Sequence, residues 1–159
     1  MCGANAAFNM YPALTQGVAD VVQEFGTAEQ IAAYAPKFHD GTYAGTMCLT
    51  EPHAGSDLQA IETRADAIDG GYRLSGNKIY VTNGERATLL LVLAKTDRHA
   101  TKPSQGISLF LVEKPRQGVK VASTYQKMGF HQVDTVEIVM EEAKVAKDAL
   151  LGGMEGKGF

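Results

Sequence analysis

The sequence has 159 residues, 45% of them hydrophobic and 21% charged, with a net charge of −3. Those proportions describe a folded domain with one real core, and the slight acidic excess excludes a broad basic field for nucleic acid. The longest apolar runs, such as Leu89 to Ala94, fall far below the ~20 residues needed to span a bilayer.

The first forty residues have a helical period. Val18, Val21, Val22 and Phe25 fall on one face, and Gly26 is placed to end that helix. Thr27-Ala28-Glu29-Gln30 is a capping-box pattern with Thr27 as N-cap. Ile31, Tyr34, Ala35 and Phe38 repeat the apolar spacing up to Asp40-Gly41, and Pro36 predicts a kink or an early end. From Thr42 the period changes to two. Tyr43 to Thr50 reads as a strand. Arg64 to Ile68 and Tyr72 to Leu74 flank Asp69-Gly70-Gly71, a hairpin signal. Ser75-Gly76-Asn77 reads as a break before a further strand, Ile79 to Asn83. The continuous apolar run Leu89 to Ala94 fits a strand buried on both faces. Asp97 to Gln105 is a polar loop, and alternating strands follow at 107–112 and 135–140. The expected architecture is therefore α+β: a short helical segment followed by an antiparallel β-barrel or sandwich. Both ends read as cuts through a larger protein.

Generic chemical motifs are few. His39, His53, His99 and His131 are scattered without metal-ligand spacing, so no metal site is expected. Cys2 and Cys48 form no CxxC pair. The N-terminal stretch lacks a basic region followed by a clean apolar one, so a signal peptide is not expected, and a cytoplasmic or organelle-matrix location fits best. The run GGMEGKG at 152–158 fails the phosphate-loop spacing and reads as a mobile linker. Two stretches remain. Residues 48–60 combine Thr50, Glu51, Pro52, Gly55, Ser56 and Asp57, with small residues that leave backbone N–H groups and hydroxyls available to a phosphate or a polar ring edge. Read from the residues alone, the same stretch is more simply a turn capped by Ser56 or Asp57. Residues 74–84 place Tyr80, Val81 and Thr82 consecutively on a strand that could simply close at Asn83-Gly84.

Taken together, the two stretches resemble the middle β-domain of the acyl-CoA dehydrogenase family. Cys48 to Asp57 meets every fixed position of that family's small–aliphatic–Ser/Thr–Glu–x–x–small–Gly–Ser/Thr–Asp signature. Gly76, Lys78, Tyr80, Val81, Thr82 and Asn83 meet its second segment, and Gly106 to Val112 and Asp134-Thr135 agree in order and spacing. The resemblance implies a flavoprotein that uses FAD to introduce an α,β double bond into an acyl-CoA thioester. It implies cofactor contacts at Met47, Leu49, Thr50, Gly55, Ser56, Tyr80, Val81 and Thr82, with Ser56 also near the acyl-CoA and Thr82 near flavin N5. Glu51 and Pro52 would shape the turn.

The family's catalytic base is a glutamate of a C-terminal helical domain. Glu51, Glu62, Glu85 and Glu113 do not match its motif, so no catalytic residue is expected here. By the same resemblance, residues 1–41 are the end of an N-terminal helical domain, 42–151 the middle β-domain and 152–159 a linker. The parent would be a homo-oligomer, a dimer or tetramer, with electron-transfer flavoprotein as acceptor, in the cytoplasm or the mitochondrial matrix. Tyr80 stands where tryptophan is commonest, which leaves the acyl chain open. An acyl-CoA oxidase, a nitroalkane oxidase or a non-catalytic flavin-binding relative remains as an alternative.

Overall fold

A computed structural model of the chain describes residues 6–159; Met1 to Asn5, Cys2 among them, lie outside the described residues. Helix α1 spans Ala6–Phe25 and α2 spans Ala28–His39. The capping box forms as the sequence predicts. Thr27 Oγ1 accepts from the Gln30 N–H at 3.2 Å, and Gln30 Oε1 accepts from the Thr27 N–H at 3.0 Å. Pro36 does not end α2, which continues to His39. A proline deletes one helical donor, and here the loss falls in the last turn, where few bonds remain to be made.

Seven strands follow: β1 (Gly45–Cys48), β2 (Arg64–Ile68), β3 (Gly71–Thr82), β4 (Leu89–Lys95), β5 (Ile107–Glu113), β6 (Val119–Thr124) and β7 (Thr135–Ala146). They form one curled, mostly antiparallel sheet in the order β1-β4-β2-β3-β7-β6, with β5 on the other edge of β4. The pairing β1–β4 is parallel, because the chain makes a long excursion through β2 and β3 before returning. The predicted hairpin is present, with Gly70 at φ +77° in its turn.

Three features depart from the sequence reading. The expected break at Ser75-Gly76-Asn77 is a register shift inside one long strand: β3 pairs with β7 continuously apart from irregularities at Leu74/Gly76 and Lys78/Val81. Strand β6 carried only a short signal: Val119 and Val121 alternate inward against the core, and the other four residues are exposed. The 152–158 run is docked on β5 rather than loose. Gly156 N–H donates to Ser108 Oγ (2.9 Å), Gly158 N–H donates to Ile107 O (2.9 Å), and Tyr72 Oη donates to Glu155 Oε1 (2.7 Å).

The continuous apolar run in β4 is explained by its two faces. Leu90, Val92 and Ala94 join the interior of the curl with Leu74, Val81, Phe110, Ile138 and Met140. Leu89 and Leu91 face the other way, against Val18 and Val22 of α1. At the far end, Leu93 packs with Ala54, Ile61 and Ile107. The helices are therefore anchored on the outer face of the sheet, and the segment after β1 starts from a rigid base.

Candidate functional site

The chain leaves β1 at Cys48 and turns tightly at Glu51. Glu51 N–H donates to Ala54 O (3.0 Å) and Ala54 N–H donates back to Glu51 O (3.1 Å). Beyond this closed turn the chain runs through Gly55 and Ser56 on the surface, and Asp57 Oδ1 then accepts from the Gln59 N–H at 3.2 Å. The capping role proposed for Asp57 is therefore real, and Ser56 is left uninvolved.

Strand β3 lies against this segment. Ile79 N–H donates to Thr50 O at 2.9 Å, and Thr46 Oγ1 donates to Thr82 O at 2.5 Å. The stretches 49–56 and 80–82, thirty residues apart in sequence, are thus brought to one edge of the sheet. At the Lys78/Val81 register shift the backbone places Tyr80 at φ +56°, an unfavourable conformation for an aromatic residue. The shift turns the Tyr80 ring outward: it is 61% exposed and lies beside the Tyr125 ring, at 5.1 Å between centroids. Thr82 is half-buried beside it, and the turn that follows is clamped. Lys114 Nζ donates to Gly84 O and Glu85 O (2.6 and 2.7 Å), and Asp134 Oδ2 accepts from the Glu85 N–H at 2.8 Å.

Among the described residues, the hydroxyls of Thr50, Ser56 and Thr82 have no hydrogen-bond partner, and a side chain added at Gly55 would meet open space. The edge therefore offers free donors, an approachable backbone and an exposed ring face. The remaining predicted residues sit differently. Val81 is buried in the interior of the curl, Met47 packs towards the helices, and Leu49 packs beside Leu93 and Ile107, so what these three offer an outside group is backbone.

Beneath the turn lies a pair of charges that the sequence reading passed over. Lys78 is completely buried and donates through Nζ to Glu51 Oε1 (2.8 Å) and Leu49 O (3.0 Å). Glu51, 3% exposed, also accepts from the Glu62 and Thr63 N–H groups at 2.6 and 3.0 Å. Burial disfavours the Glu51 carboxylate, but the hydrogen bonds from Lys78, Thr63 and Glu62 outweigh it and hold its pKa below the usual range. Burial pulls the Lys78 pKa down, against the pull of Glu51. A lysine at an inward strand position and one glutamate after a strand are the only traces this pair leaves in the sequence. Next to it is a polar groove of about 350 Å³ lined by Glu51, His53, Glu62, Thr63 and Asn77. A larger recess of about 880 Å³ between α1 and α2 shares no lining residue with either segment.

The sequence profile of the acyl-CoA dehydrogenase middle domain matches residues 46–143, which contain β2 to β6, most of β1 and β7, and both segments. This chain belongs to the acyl-CoA dehydrogenase family. It is similar to a mitochondrial 2-methylacyl-CoA dehydrogenase of Solanum tuberosum, 44% identical over 133 residues, or 84% of this chain and 32% of that protein. Among solved structures, butyryl-CoA dehydrogenase from Megasphaera elsdenii aligns with a TM-score of 0.91 at 36% identity, over 98% of this chain and 40% of the other. The FAD complex of PigA aligns with a TM-score of 0.82 at 31% identity, over 88% and 36%. The chain therefore spans about a third of the length of the curated relatives it matches. The acyl-CoA dehydrogenase signature at 48–57 coincides with the closed turn and the surface segment after it.

Proposed function

We propose that this chain is the FAD- and acyl-CoA-binding middle portion of an acyl-CoA dehydrogenase. One observation carries the reading: two segments distant in sequence meet at one sheet edge with three unpartnered hydroxyls and an exposed aromatic face. Family membership and the likeness to the FAD complex of PigA support the choice of cofactor. On this reading residues 1–41 end an N-terminal helical domain, 42–151 form the middle β-domain, and 152–159 lead towards a C-terminal helical domain that carries the catalytic glutamate.

Each residue has a task that follows from its position. Thr50 and Ser56 donate from the 49–56 segment, and Gly55 lets the cofactor approach the backbone closely. Tyr80 offers its ring face, Thr82 offers a hydroxyl held at a fixed height, and Met47, Leu49 and Val81 contribute backbone and the wall behind it. Ser56, the most exposed of the donors by place, also reaches the acyl thioester. When bound, FAD would supply the redox chemistry by taking up the β-hydrogen of the acyl chain as hydride, while the α-proton goes to the base. The protein's part is to hold the thioester in line with the flavin, a proximity task. No carboxylate of this chain is assigned the proton abstraction: Glu51 is buried in an ion pair and cannot reach a substrate. In the longer protein the partners would be the acyl-CoA, electron-transfer flavoprotein as acceptor and further copies of the same subunit. Its place would be the cytoplasm, or the mitochondrial matrix in a eukaryote.

The test is flavin retention. Ser56→Ala and Thr82→Ala each remove one donor, and each should weaken FAD binding by about tenfold, the effect of losing one good hydrogen bond. Retention equal to the parent protein in both variants would overturn these roles.

A further inference from the structure

We propose that the buried Lys78–Glu51 pair is the positioning device of the flavin edge: it holds the 49–56 segment in fixed register with Tyr80 and Thr82. The proposal rests on the cofactor reading above, but the geometry behind it does not. Glu51 is a node that closes the chain on itself. Its backbone pairs with Ala54 in both directions, and its carboxylate accepts from the Glu62 and Thr63 N–H groups. The excursion of residues 52–61 is therefore tied at both ends to one residue, by its backbone at the start and by its carboxylate at the end. Lys78 ties that node to β3. It reaches the Glu51 carboxylate and the Leu49 carbonyl, while the next residue, Ile79, donates to Thr50 O. Three successive residues, 49 to 51, are thus held by two successive residues of β3, and Tyr80 follows at once.

A fold that needed only stability could fill this space with apolar side chains, since a buried ion pair is often no more stable than a hydrophobic replacement. What an apolar pair cannot supply is directed bonds to the Leu49 carbonyl and to the two amides. Both charges are almost free of solvent contact, so their mutual hydrogen bonds are neither screened by salt nor exchanged for water. The tether is short, two-pronged and fixed in direction.

The test separates position from stability. Lys78→Met alone strands the Glu51 charge and should lower the unfolding midpoint. The double variant Lys78→Met/Glu51→Gln removes both charges, and its amide oxygen still accepts one of the two backbone N–H groups. Its midpoint should return towards that of the parent. Its FAD affinity should stay about tenfold weaker, as expected for the lost charged tether to Leu49. Hydrogen exchange at the Ala54 and Ile79 amides, measured on the same variants without flavin, should remain faster than in the parent. If midpoint, affinity and exchange all recover together, the pair serves stability alone and the proposal fails. If the unaltered protein binds no flavin, the cofactor reading falls, while the exchange at Ala54 and Ile79 still decides the positioning role.

Discussion

Lys78 has no exposed surface, and Glu51 is the carboxylate it meets. Removing one partner of such a pair leaves the other charged, buried and uncompensated. Lys78→Met should therefore destabilise the chain by about 3–5 kcal/mol, read from urea unfolding. A loss no larger than that of a surface substitution would mean that water reaches the pair. The same site sets an acid dependence. The folded Glu51 carboxyl titrates below its ordinary value of 4.5, so as pH falls the unfolded chain takes up this proton first. Its stabilising contribution is complete above about pH 4.5 and is lost as pH drops through the folded value. Glu51→Gln should flatten the acid limb of a stability–pH profile below that point. An unchanged acid limb would place the titrating group elsewhere. Tyr80 shows the opposite economy: it is strained in backbone and exposed in side chain, a combination that packing alone does not call for.

The long strand β3 carries its irregularities where the site needs them. At Gly76 an added Cβ would lie 2.2 Å from Thr63 Oγ1 and 2.7 Å from Thr63 Cα. Gly76→Ala should cost about 1–3 kcal/mol by overpacking, with a matching drop in the urea midpoint; an unaltered midpoint would show that β2 and β3 are free to separate there. At the other end of the molecule, Thr27→Ala should cost about 1 kcal/mol as a lost helix cap. Gln30→Ala should cost more, because Gln30 also donates to Asp148 O and Leu150 O (2.6 and 2.8 Å) and accepts from the Gly152 N–H at 3.0 Å. Equal losses would mean that these long-range bonds add nothing. These elements also show what could be read from residues alone. The helical stripe at Val18 and Val22, the capping box, the Asp69-Gly70 turn and the two-faced β4 were legible because each has a local signature. The parallel β1–β4 pairing, the joining of Tyr72–Leu74 to Ile79–Asn83 as one strand, and the docking of Gly156 and Gly158 on β5 were not. Each is decided by contacts between residues far apart in sequence. For the same reason both segments of the candidate site were legible, while the Lys78–Glu51 pair that ties them together was not.

At the scale of the whole molecule, the helices brace the outer face of the sheet through Val18, Val22, Leu89 and Leu91, and α1 reaches the border of the site, where Met47 packs towards it and Asn83 Nδ2 donates to Tyr11 O at 3.3 Å. The edge is open, so a cofactor bound there keeps one side uncovered by this chain. That agrees with a chain that spans about a third of the length of the curated relatives it matches; on the proposed reading, the base and the remaining walls would come from outside these residues. The most direct test is the visible absorption spectrum of the purified longer protein, before and after anaerobic addition of acyl-CoAs of differing chain length and branching. The account predicts flavin bands that bleach with the preferred acyl-CoA. A protein with no flavin bands would contradict the cofactor site at Thr50, Ser56 and Thr82, and bands that no acyl-CoA bleaches would contradict the dehydrogenation.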